Sequence, residues 1–141
     1  MPVLVEILSA PVPQDRSDLA KVYADAPAWL LEPYADATAL IEAGLARGEL
    51  LTGRFNDRLL GAALLQRGEN HWRLSHLCVR GLTRQRGVGR RLLDEAQRLA
   101  AADGKPLHLA APPGHLESQA LAARTGLPLE SLPLVDCSLR S

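Results

Sequence analysis

The sequence predicts an α/β fold in one domain, residues 1–141, with a mixed, mostly antiparallel sheet flanked by helices. Three observations predict it. Leu50 to Val79 reads as three apolar segments separated by turn residues, which is the pattern of an antiparallel meander. Gly87 to Ala102 carries an apolar stripe at helical spacing through Val88, Leu92, Leu93, Ala96, Leu99 and Ala100. Leu107 to Ala111 is a short apolar segment that follows this helix, so it lies parallel to the last meander strand through a crossover.

The remaining elements follow in order. Val3 to Leu8 is rich in branched residues and reads as a first strand, ended by Pro11 and Pro13. Asp15 to Ala24 places Leu19, Val22 and Tyr23 on one helical face and Arg16, Asp18 and Lys21 opposite. Trp29 to Tyr34 reads as irregular. Asp36 or Thr38 caps a helix running to about Arg47, and Gly48 stops it. The meander strands are Leu50–Phe55, Arg58–Gln66 and His71–Val79, with Asn56-Asp57 as the first turn. Strict alternation puts Trp72, Leu74, His76 and Cys78 on one face of the third strand. Asp103-Gly104-Lys105-Pro106 stops the long helix. Glu117 to Thr125 is a short helix closed by Gly126, and a last strand is expected near Leu134–Leu139.

Composition narrows the function. Sixteen basic and sixteen acidic residues balance to zero net charge, which argues against a general nucleic-acid binder. Hydrophobic residues make up 47% and charged residues 23%, a globular composition. No apolar run is long enough to span a membrane, and Met1–Leu8 lacks the basic start of a signal peptide. A soluble cytoplasmic protein is expected. Cys78 and Cys137 are far apart, read as free thiols, and no metal site is expected.

The chemistry-bearing stretch is Arg80 to Arg91. Five of the sixteen basic residues fall in it, between a strand and an amphipathic helix. A helix start offers backbone N–H groups without partners and partial positive charge. Gly87 and Gly89 remove side chains that would block an anion from those donors, and the arginines add forked donors suited to phosphate. A phosphate or pyrophosphate at this helix start is the expectation. The loop is not a P-loop, since Arg86 and Gly87 stand where Gly-Lys is required after Gly81. It is not a dinucleotide fingerprint either, since Leu92 replaces the third glycine.

Arg84-Gln85-Arg86-Gly87-Val88-Gly89 resembles the Arg/Gln-x-x-Gly-x-Gly/Ala motif of the GNAT (Gcn5-related N-acetyltransferase) superfamily. The element order resembles that family too. The resemblance implies a GNAT fold that binds acetyl-CoA or CoA. Its pyrophosphate would meet Thr83, Arg84, Gln85, Arg86, Gly87, Val88, Gly89 and Arg90, and its pantetheine arm the backbone of Leu77, Cys78 and Val79. Three segments, Gln14–Lys21, Arg54–Leu60 and Val79–Gly89, further resemble the PanZ (PanM) family of acetyl-CoA sensors. That resemblance implies a regulator that engages the aspartate decarboxylase zymogen PanD, promotes its self-cleavage and tunes pantothenate and CoA synthesis. Arg54, Asn56 and Arg58 are the expected partner contacts.

An acetyltransferase needs a path for the amine proton and a group to reprotonate the thiolate. The position that carries a tyrosine acid in many GNAT enzymes falls at Ala122, and the only tyrosines are Tyr23 and Tyr34. His71–Val79 holds no carboxylate, leaving His76 as a base candidate against the reading of a packed core histidine. His108 is ambiguous in the same way, and His115 is expected in an exposed loop. Direct transfer to an amine needs no nucleophile, so Cys78 reads as a small strand residue. No catalytic residue is assigned. Two functions stay open: a PanZ-like regulator, or an N-acetyltransferase acting on a small amine or a protein amine.

Overall fold

A computed structural model describes residues 3–24, 26–81 and 87–132. Six strands form one sheet in the order β1-β2-β3-β4-β5-β6. They are β1 (Leu4–Ile7), β2 (Leu50–Phe55), β3 (Arg58–Gln66), β4 (Trp72–Val79), β5 (Leu107–Ala111) and β6 (Leu129–Ser131). β1 to β4 pair antiparallel, while β4–β5 and β5–β6 pair parallel. The helices are α1 (Pro13–Ala24), α2 (Ala28–Leu31), α3 (Ala37–Arg47), α4 (Val88–Ala102) and α5 (Leu116–Thr125). The mixed, mostly antiparallel sheet flanked by helices is the architecture expected from the sequence.

Two apolar layers sandwich the sheet. Val88, Leu92, Leu93, Ala96 and Ala100 of α4 pack with Leu51, Leu65, Leu74 and Leu109 on one face. Leu19, Val22 and Tyr23 of α1 and Leu40 and Ile41 of α3 pack with Leu50, Ala62 and Leu64 on the other. β3 lies under both layers and is buried from Leu59 to Leu65, as a central strand covered on both faces must be. Among the described residues no helix is long and apolar enough to cross a membrane.

Local signals work as the residues dictate. The Asp36 side chain accepts from the Ala39 N–H at 2.8 Å, so Asp36 rather than Thr38 is the α3 cap. Asn56 and Asp57 take φ of 50° and 64°, the left-handed pair a two-residue hairpin requires.

Four sequence expectations are corrected. Trp29–Tyr34 is not wholly irregular, because α2 supplies one helical turn there. Asp18 does not face solvent; it is 1% exposed, under the β2–β3 hairpin. The alternation of β4 breaks at a bulge. Ala62 pairs with Cys78 but Leu64 pairs with Ser75, so β4 carries one extra residue there, and His76 takes φ +56°. Trp72 and Leu74 therefore share a face with Leu77 and Val79, while Cys78 turns to the α1 side. The sixth strand forms at Leu129–Ser131, earlier than expected, and the segment 134–139 lies outside the described residues together with Cys137.

Candidate functional site

The β4 bulge positions a cleft. β4 pairs with β5 only from Trp72 to Ser75. Beyond Ser75, among the described strands, it pairs with β3 through Cys78 and Val79, and its other edge no longer meets β5. A cleft of about 1080 Å³ opens beside that edge. Its floor is Leu74–Val79 and Leu109–Ala111. One wall is the start of α4, with Gly87, Gly89, Arg90 and Asp94. α5 also lines the cleft, with Glu117, Leu121 and Arg124, as do Trp29 of α2 and its N-cap Pro27.

The start of α4 is shaped for an anion. Gly87 holds φ +77° at the N-cap and carries no capping side chain. Among the described residues the first bond of the helix runs from the Arg91 N–H to the Gly87 carbonyl at 3.0 Å, and the amides just ahead of Arg91 find no acceptor there. A Cβ built on Gly87 meets nothing within 4 Å, and one on Gly89 meets only Val79 Cγ2 at 3.4 Å, an ordinary contact. Packing therefore does not require glycine at position 89. Elsewhere it does: a Cβ on Gly53 or Gly61 would sit 2.9 or 2.7 Å from Val88 Cγ1. The loop glycines leave open space at a helix start that lines a cleft, which fits a phosphate-bearing ligand.

The expected ligand-contact residues divide three ways. Leu77, Cys78, Val79, Gly87, Gly89 and Arg90 all line the cleft. The Val88 side chain does not; it is fully buried against the sheet, leaving only its backbone near the helix start. Thr83, Arg84, Gln85 and Arg86 lie outside the described residues. Arg90 Nε donates to Asp94 Oδ1 at 3.1 Å, one turn along the same exposed face.

The acid–base candidates are tied up. His76 is 5% exposed, and its Nε2 donates to the Glu32 carbonyl at 2.7 Å. Its Nδ1 then accepts from Ser75 Oγ at 2.7 Å. Burial holds the imidazole below its usual pKa, partly offset by the Glu32 carbonyl. Tyr23 donates its hydroxyl to the His76 carbonyl at 2.7 Å, and burial raises its pKa well above the usual value. Cys78 Sγ donates to the Val22 carbonyl at 3.2 Å, away from α4. Two groups that sequence reasoning missed line the cleft: the Glu117 carboxylate on the first turn of α5, and Trp29, whose indole stacks on His115 with ring centroids 3.8 Å apart. Nothing in a one-turn helix or a loop histidine signals such a pairing in advance.

The hairpin residues expected at a partner surface are placed by α1. Arg58 donates from Nε and Nη2 to Asp18 Oδ1 at 2.9 and 2.7 Å. Leu59 N–H and Gln14 Nε2 donate to the same carboxylate. Burial pushes Asp18 up, but these donors together outweigh it and hold the carboxyl below its ordinary value. Arg54 Nη1 reaches Asp15 Oδ1 at 3.1 Å. The two arginines thus fasten the hairpin to α1, and Asn56 stands exposed in the turn between them.

Residues 2–129 match the family model described as "Acetyltransferase (GNAT) domain, PanZ". Two proteins named PanD regulatory factor are similar to this chain over 85 residues, at 33% identity in Escherichia coli (strain K12) and 38% in Salmonella typhimurium (strain LT2). Each match covers 60% of this chain and 58% of the relative's length. Among solved structures, PH1933 from Pyrococcus horikoshii OT3 superposes with a TM-score of 0.68 at 16% identity, over 89% of this chain and 88% of that one.

Proposed function

The chain belongs to the PanZ family of GNAT acetyltransferase domains, and from that premise we propose that it binds acetyl-CoA in the β4–α4 cleft and acts as a PanZ-like regulator of PanD maturation in the cytoplasm. One observation carries the ligand assignment: the cleft ends at a helix start whose glycines answer no packing need at position 89 and no Cβ contact at position 87. The amides ahead of Arg91 would receive the pyrophosphate, and the backbone of Leu77 to Val79, where β4 no longer meets β5, would pair with the amides of the pantetheine arm. Thr83, Arg84, Gln85 and Arg86 are proposed to complete the phosphate contacts. The bound group supplies a thioester that can be sensed or transferred; the protein supplies the cradle and its cation Arg90.

The regulatory part is supported by the family match and by the names of the two relatives. Arg54, Asn56 and Arg58 are the proposed partner contacts, presented on a hairpin that the Asp15 and Asp18 ion pairs fasten to α1. The test is self-cleavage of the aspartate decarboxylase zymogen with the protein, with and without acetyl-CoA. Acceleration only with both present supports the reading; unchanged cleavage removes the regulatory part.

A second reading, acetyl transfer to an amine, is favoured by one observation. Glu117 is a carboxylate on the cleft wall that makes no ion pair among the described residues, so it can accept an amine proton. Acetylation of a panel of amines, compared with a Glu117→Gln chain, tests it.

A further inference from the structure

The open face of the sheet brings together three residues far apart in sequence. His71 precedes β4, His108 lies in β5 and Glu130 in β6. Leu107 and Leu109 point into the α4 core, so His108 points to the opposite face. Parallel pairing sets Arg73 opposite His108 and Ala110 opposite Glu130, which gathers all the polar side chains onto that face. Glu130 Oε2 sits 2.6 Å from His71 Nε2 and 2.8 Å from His108 Nδ1. The two imidazoles stack with centroids 3.8 Å apart. The three ligand atoms all lie within 4.8 Å of one another.

We propose that His71, His108 and Glu130 form a binding site for a divalent transition-metal cation of the zinc class. Two imidazole nitrogens and one carboxylate oxygen are a borderline-soft donor set suited to Zn²⁺. Tetrahedral bonds of ~2.0–2.2 Å place neighbouring ligand atoms roughly 3.3 Å apart, so Glu130 Oε2 has to withdraw by about 0.7 Å from His71 Nε2 and about 0.5 Å from His108 Nδ1. Each imidazole would coordinate through the nitrogen now facing Glu130, its proton moving to the other ring nitrogen. Arg73 Nε donates to Glu130 Oε1 at 2.8 Å, which orients the carboxylate and leaves Oε2 to the cation. The Arg73 charge opposes a cation, and the carboxylate it faces offsets that charge. Side-chain exposure of 22 to 27% across the four residues admits solvent to a fourth coordination position.

The site is independent of the acetyl-CoA reading and lies outside the residues that line the cleft. It is tested on the full chain without acetyl-CoA, by calorimetric titration with Zn²⁺ and by the visible spectrum with Co²⁺. One Zn²⁺ per chain is expected, with at least tenfold weaker affinity in both His108→Ala and Glu130→Gln. The Co²⁺ form should show tetrahedral d–d bands without sulfur-to-cobalt charge transfer. Undiminished zinc affinity in both variants, no zinc binding by the wild-type chain, or a thiolate band placing the ion on a cysteine would each overturn the assignment.

Discussion

Val88 Cγ1 fills the space that a Cβ on Gly61 would need, with 2.7 Å between the two positions. The first turn of α4 can approach β3 this closely only because β3 carries a glycine there. Val88 is also the residue that follows the Gly87 cap, so this contact sets the depth at which the helix start meets the cleft.

Gly61→Ala should therefore destabilise the chain by about 1–3 kcal/mol, the ordinary cost of overfilling a packed core. Leu92 Cδ1 at 3.1 Å and the Cys78 carbonyl at 3.3 Å leave the added methyl no easy escape. Urea unfolding measures this. Gly81→Ala is the control: nothing lies within 4 Å of a Cβ there, and the change should stay within about 0.5 kcal/mol.

Gly89 gives the opposite pattern. An alanine there makes only an ordinary contact with Val79, and alanine favours a helix over glycine. Gly89→Ala should keep or slightly raise the melting temperature while weakening acetyl-CoA binding at least tenfold in calorimetry. Gly89→Trp should abolish binding. Wild-type affinity in both variants would move the ligand away from the α4 start.

Asp18 is the acceptor on which the hairpin anchor depends. Asp18→Ala strands the buried Leu59 N–H and should cost about 1–3 kcal/mol for that donor. Because the folded carboxyl is held below its ordinary value, its contribution is fully present above the unfolded value of about 4. It is lost as pH falls through the lower folded value. Urea midpoints of wild type and Asp18→Asn should therefore converge only in strong acid, and a gap unchanged down to pH 2 would contradict the account.

Much of this fold was legible, and the illegible parts have physical causes. β2, β3 and β5 begin and end where turn residues and prolines place them. The position of α4 follows from its apolar stripe. The bulge at Ser75-His76 was not legible, since alternation carries no mark of an inserted residue, and one residue reverses every face beyond it. Asp18 reads as polar and exposed because its partner Arg58 is 40 positions away. The His71–His108–Glu130 cluster is hidden for the same reason: only parallel register unites residues 59 positions apart. α2 is a single turn, too short for any periodic signal.

The bulge leads to the last prediction. It buries His76 with both ring nitrogens bonded and its pKa depressed. In the unfolded chain the same histidine titrates near its ordinary value of about 6.5. Between that value and the lower folded one, the unfolded state binds a proton that the native state refuses. The native state is therefore favoured fully above about pH 6.5 and loses this advantage progressively as pH falls. His76→Gln can still donate to the Glu32 carbonyl but cannot take up the proton. Whatever the substitution costs at neutral pH, the stability difference in favour of the wild type should shrink between pH 7 and pH 5, as read from urea midpoints. A difference that stays constant across that range would mean that His76 titrates alike in the folded and unfolded chains, and one that grows toward pH 5 would mean that the bulge holds the imidazolium rather than the neutral ring.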